Sequence, residues 1–198
     1  VPLDYFINFA LYDPVSVYTR WISAVVSLPA SVHLVQFFLY FPENKKTKFA
    51  DFFLYSGWLL ILAVWGYYVY ATCQSARVYN FSGHYWDFDA DPVQEFLAIV
   101  LLVSVFLVII TALWKIYHAQ GKDVWVLSAL LLSAMVITIV PAVANILSRR
   151  GLIERGTFFG YFALLVMLGT FSLIVVYINN KKDKSSFMTK IIGISLVT

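Results

Sequence analysis

The sequence predicts an all-α fold, a polytopic bundle of transmembrane helices with five complete spans and the start of a sixth. Three observations point there. Of the 198 residues, 61% are hydrophobic and only 13% charged, with a mean hydropathy of +0.80, whereas soluble domains carry about one quarter charged residues. Apolar stretches of about 20 residues recur, the length an α-helix needs to cross the hydrocarbon core. Charge is confined to the connectors and the ends of those stretches, and it is sorted by residue type.

The chain starts at Val1 with no charged region ahead of an apolar run, so no signal peptide is expected and the natural chain is expected to begin upstream. The stretch to Tyr12 is aromatic and too short to span. Asp13-Pro14 then supplies a helix N-cap and a proline at the first helical position, where its missing N–H costs nothing. The first span, 19–41, stops at Pro42-Glu43-Asn44. The second, 49–72, carries Trp58, Trp65, Tyr67, Tyr68 and Tyr70, residue types suited to the headgroup level. Asp91-Pro92 opens the third, 93–118, with Gln94 completing a capping-box-like pattern. The fourth covers 124–147 and the fifth 158–178. A sixth begins at 188–198; its last eight residues would rise only about 12 Å as helix, so the natural chain is expected to continue.

Charges set the expected orientation. All nine lysines, at 45, 46, 48, 115, 122, 181, 182, 184 and 190, fall at one end of the spans, and the five arginines, at 20, 77, 149, 150 and 155, fall at the other. The rule that basic connectors stay inside puts the lysines in the cytoplasm and the 73–92 loop outside, in a multi-pass protein of the bacterial cytoplasmic (inner) membrane. The 149–157 connector is discordant, being basic yet external by alternation. A net charge of +3 divided in this way excludes nucleic acid as a partner, leaving the lipid bilayer as the first one. Cys73 is the single cysteine, which excludes an internal disulfide and a cysteine metal cluster; it reads as a small apolar residue at a helix end.

Inside the spans little polarity remains. Asp51, Glu95 and Lys115 fall near span ends, which speaks against a proton- or sodium-coupled transporter, and no mid-span lysine could bind retinal. Ser23, Ser27 and Ser31, and the pair Gly156 and Gly160, read as close-packing signals. Pro29, His33 and Gln36 share one side of the first span, and Thr138, Pro141 and Asn145 do the same in the fourth. These two sets read either as a hinge or cavity or, more plainly, as interhelical hydrogen bonding around tolerated prolines. Paired haem ligands are excluded, because His33 and His118 differ in depth by about 10 Å and His84 lies across the membrane. No cofactor is expected.

The 73–92 loop is the longest interruption. His84, Asp87, Asp89 and Asp91 are candidates for an oxygen-rich cation site, but a calcium loop fails, since Pro92 stands where the glycine should be and Ala98 where the closing glutamate should be. The plainer reading is an aromatic cap of Tyr79, Phe81, Tyr85, Trp86 and Phe88 on the membrane boundary, with Tyr85, Trp86 and Phe88 as a ligand site or lid packed against the second and third spans.

The junction Phe37-Phe38-Leu39-Tyr40-Phe41-Pro42-Glu43-Asn44 resembles the end of an apolar helix followed by F-P-E in the N-terminal seven-helix sensor regions of bacterial signalling proteins, histidine kinases among them. Tyr12-Asp13-Pro14 to Trp21, the loop Gly83-His84-Tyr85-Trp86-Asp87-Phe88-Asp89, and Phe187-Met188 to Thr198 are similar to the membrane region of spirochaete-type adenylate/guanylate cyclase proteins. The resemblance spans nearly the whole chain and implies a membrane sensor or anchor, followed in that family by a cytoplasmic cyclase domain through which a homodimer would form. An extracellular or membrane-soluble ligand would be sensed. No catalytic residue falls within this sequence. The rival readings are a small-molecule transporter or channel using the Pro29 and Pro141 faces, and a structural anchor without a ligand.

Overall fold

The computed structural model describes residues 7, 10–42, 48–81, 85–149, 151–153 and 155–180, with the backbone alone described at 141–142, 145–146, 148–149 and 155–160. A short 3-10 turn (Pro14–Tyr18) leads into helix α1 (Thr19–Tyr40), followed by α2 (Lys48–Cys73), strands β1 (Arg77–Asn80) and β2 (Tyr85–Phe88), then α3 (Asp91–His118), α4 (Lys122–Arg149) and α5 (Arg155–Asn180). Among the described residues, five helices are long and apolar enough to cross a membrane. They are the five expected spans, with α2 to α5 reaching up to three residues further at an end. The expected start at 188–198 lies outside the described residues.

Local chemistry explains most of the ends. Asp13 caps the 3-10 turn, its Oδ1 accepting from the Val15 amide at 2.8 Å, and Pro14 follows in the first turn. The turn runs straight into α1. At the other end Phe41 leaves in an extended conformation, as the residue before a proline must. The α3–α4 connector closes through Gly121 at φ 56°, a left-handed conformation that glycine adopts without strain. One expected cap is corrected. Ala90, not Asp91, is the N-cap residue of α3, and its methyl has no acceptor for a side-chain cap bond; Gln94 is turned back toward β2.

Helices consecutive in the chain run antiparallel. Trp21 Nε1 donates to Thr72 Oγ1 at 2.9 Å near the hairpin, and the Tyr40 hydroxyl donates to Asp51 Oδ1 at 2.7 Å near the lysines, so α1 and α2 are tied at both ends. Between α4 and α5, Ser133 Oγ lies 3.1 Å from Ser172 Oγ. Gly169 sits directly on α4, where an added Cβ would come within 3.0 Å of Ile137 Cγ1 and 3.1 Å of Val136 Cγ1. A side chain there would require Ile137 and Val136 to give by a few tenths of an ångström, so the glycine suits the close approach.

Helix α1 is the hub. Its buried residues Ala24, Leu28, Ser31, Val35 and Phe38 recur at spacings of three and four, one stripe of a helix. Of the serine repeat only Ser31 lies on that stripe, bonded to the Leu28 carbonyl at 2.7 Å; Ser23 and Ser27 are half-buried. At the lysine end Val35, Phe38 and Phe41 join Val108 and Ala112 of α3 and Leu127, Leu130 and Ala134 of α4. Midway, Leu28 packs with Ile61 and Val64 of α2, and at the hairpin end Val17 packs with Phe88 and Ala90. The opposite faces are apolar and open, with Leu59 73% and Leu102 65% exposed, surface that only lipid or another helix suits.

Candidate functional site

Between α2 and α3 the expected loop is a β-hairpin. Its strands, Arg-Val-Tyr-Asn and Tyr-Trp-Asp-Phe, are rich in residues that favour a pleated, half-buried surface. They pair antiparallel in the register Arg77–Phe88, Val78–Asp87, Tyr79–Trp86 and Asn80–Tyr85, and the Asp89 amide donating to the Ala76 carbonyl at 2.9 Å extends the ladder. Tyr85 and Phe88 are buried, while Trp86 and Asp87 are half-buried. The hairpin's apolar seat is the 3-10 turn and the start of α1: Phe88 packs with Val17, Tyr18 and Trp21, and Val93 closes the patch from α3. Of the expected seat on the second and third spans, the third takes part through Val93 and Gln94, and the turn capped by Asp13 with the start of α1 supplies the rest.

One carboxylate ties the hairpin down. Asp87 Oδ2 accepts from Arg20 Nη2 at 3.2 Å, with the two side chains 16% and 13% exposed. Its Oδ1 accepts from Gln94 Nε2 at 3.1 Å and from the Phe88 amide at 3.0 Å. Gln94 Nε2 also donates to the Phe88 carbonyl at 2.8 Å, and the Arg20 guanidinium lies 5.0 Å from the centroid of the Tyr85 ring. Donors on α1 and α3 thus meet on one acceptor in β2. Charge-assisted bonds of this kind contribute about 1.5–3 kcal/mol each when shielded from water.

An aromatic train continues the connection. Tyr18 and Trp21 meet edge-on at 4.6 Å, Trp21 stacks on Phe88 at 6.1 Å, and the Trp21 bond to Thr72 brings in α2. Arg77 of β1 reaches the other way, its Nη2 donating to the Tyr18 hydroxyl at 2.6 Å. Tyr79 meets Trp86 at 5.3 Å and Tyr12 at 6.2 Å. Burial, with help from a hydrogen bond to Tyr12, raises the Tyr79 phenol above its ordinary value of 10.0.

The expected site residues separate into groups. Tyr85, Trp86, Phe88 and Asp87 come together in this cap, while Asp89 and Asp91 are exposed and His84 lies outside the described residues. Among the described residues no group of three His, Cys, Asp or Glu side chains could hold a metal ion. Pro29 stands inside α1, and His33 and Gln36 bond to each other at 3.2 Å, with the His33 ring edge-on to Trp58 of α2. Thr138 bonds back to the Ala134 carbonyl at 2.8 Å within α4; the side chains of Pro141 and Asn145 lie outside the described residues. No described contact joins the first set to the second. Cys73 closes α2 and is exposed. Sequence reasoning missed Arg20, Gln94, Tyr18, Trp21 and Thr72; the signal available was Arg20 itself, an arginine in a first helical turn with one acid-rich loop to meet it. The chain matches no protein-family model, and no curated protein or solved structure is detectably similar to it.

Proposed function

We propose that the chain is the membrane-embedded sensor domain of a bacterial signal-transduction protein, with the hairpin cap outside the cytoplasmic membrane and the lysine-rich end inside, and that it regulates a cytoplasmic nucleotide cyclase. The observation that supports a sensor over a passive anchor is the junction at Asp87, where one side chain in the hairpin holds Arg20 of α1 and Gln94 of α3. A ligand that binds differently to two positions of the hairpin would bias two spans at once. A shift of one helix against its neighbours is the mechanism this requires, driven only by that difference in affinity. The cyclase output, and a homodimer formed through it, follow from the resemblance of the cap, of Tyr12-Asp13-Pro14 to Trp21 and of Phe187-Met188 to Thr198 to cyclase membrane regions, while the junction at Phe41-Pro42 resembles the seven-helix sensor regions of bacterial signalling proteins.

The test is nucleotide product formed by the full-length protein in vesicles. Tyr85→Ala and Trp86→Ala remove aromatic area from the cap and are expected to shift basal output severalfold, since about 1.4 kcal/mol changes a two-state ratio tenfold. Unchanged basal and stimulated output in both variants would leave the domain a passive anchor.

A further inference from the structure

Helix α1 exposes one polar pair on an otherwise apolar face. Ile22, Val26, Ala30 and His33 form its outward stripe, all of them exposed. His33 lies seven residues before Tyr40, the lysine-end terminus of α1, hence about 10 Å into the span, and Gln36 lies about 6 Å in. Trp58 covers only one edge of the imidazole, at 5.7 Å between centroids. His33 and Gln36 bond to each other at 3.2 Å, which leaves further polar atoms on both; at such depth these face other helices rather than hydrocarbon, because lipid offers them no partner.

The stripe is bounded on one side by α2 at Trp58. Nearer the lysine end it is bounded by Tyr177 of α5, whose ring lies 5.5 Å from Phe37 and 5.7 Å from Phe41. Helix α5 therefore delivers the chain beside this face. A connector, 181–190, holds four lysines, and the apolar run 191–198 follows with hydroxyls at Ser195 and Thr198. Were this run a helix entering at Lys190, Ser195 would stand about 7.5 Å in and Thr198 about 12 Å in, close to the depths of Gln36 and His33.

We propose that residues 191–198 return into the bundle as a helix antiparallel to α1, seated on the Ala30–His33–Phe37 face, with Ser195 and Thr198 meeting Gln36 and His33. The lysines of 181–190 hold the connector at the same end as Lys48, Lys115 and Lys122. This rests on the membrane-crossing bundle and not on the sensing role, so failure of the cap variants to alter output leaves it standing.

Disulfide trapping in the full-length protein, in native membranes and a Cys73→Ser background, tests the seat. Val32→Cys with Gly57→Cys is the reference for a folded α1–α2 pair, because a Cβ built on Gly57 lies 3.7 Å from Val32 Cβ, the spacing of a disulfide. The test pairs are His33→Cys with Thr198→Cys and Gln36→Cys with Ser195→Cys, each with a protease site in 181–190 so that an internal link holds the two fragments together. At least one test pair is expected to link within the chain with a yield like the reference, while Leu62→Cys with Thr198→Cys stays at background. Linking of the reference alone would overturn the seat. Linking of His33→Cys to a second copy would overturn it in favour of a self-interface on this face.

Discussion

Asp87 accepts from donors on α1, β2 and α3 at 3.0–3.2 Å, and that convergence decides what its replacement does. Asp87→Ala leaves the half-buried Arg20 charge and the buried Gln94 amide without their shared acceptor. The expected cost, discounted for partial exposure, is about 1–3 kcal/mol. Asp87→Asn keeps an acceptor but not the charge, and is expected to lie between Asp87→Ala and the parent. Thermal unfolding in detergent checks the order, and an Asp87→Ala variant that melts with the parent would contradict the junction. At this scale the sequence was only partly legible. The aromatic content of the cap could be read directly, but the partner of Asp87 is an arginine 67 positions away. The one signal for such a pair was Arg20 itself, in a first helical turn far from the acid-rich loop in sequence. Gln94 was misread because the capping-box spacing fits it equally well, and only the folded hairpin presents the Phe88 carbonyl that it meets instead.

The helices themselves were legible because burial in lipid imposes length, and proline, lysine and Asp-Pro mark their ends. The hairpin was not, since strands of four residues are too short for an alternating pattern to stand out from an aromatic loop. Packing between helices was legible in kind but not in place: Ser31 of the serine repeat is buried, whereas the glycines set close against a neighbouring helix are Gly57 and Gly169, which no repeat had marked. Two glycines give opposite expectations. Gly169→Leu forces atoms into Val136 and Ile137 of α4 and is expected to cost about 1–3 kcal/mol. Gly66→Ala meets nothing within 4 Å and is expected to be neutral or to gain up to about 1 kcal/mol, as alanine replaces glycine in a helix interior. Melting temperatures of the two variants in one detergent check the contrast, and equal effects would contradict the α4–α5 packing.

Across the whole molecule, α1 joins the two ends. Its stripe from Ala24 to Phe38 runs from beneath the aromatic cap to the core shared with α3 and α4, so displacement at Arg20 has a packed route toward Phe41. That route serves signalling only if the hairpin and the lysine end lie on opposite sides of a membrane. Labelling of single cysteines in intact cells, in a Cys73→Ser background and with a membrane-impermeant maleimide, measures this directly. Ser82→Cys, in the sequence between β1 and β2, is expected to react from outside, and Lys46→Cys, in the sequence between α1 and α2, only after the membrane is opened. Reaction of Lys46→Cys in intact cells with Ser82→Cys protected would contradict the arrangement.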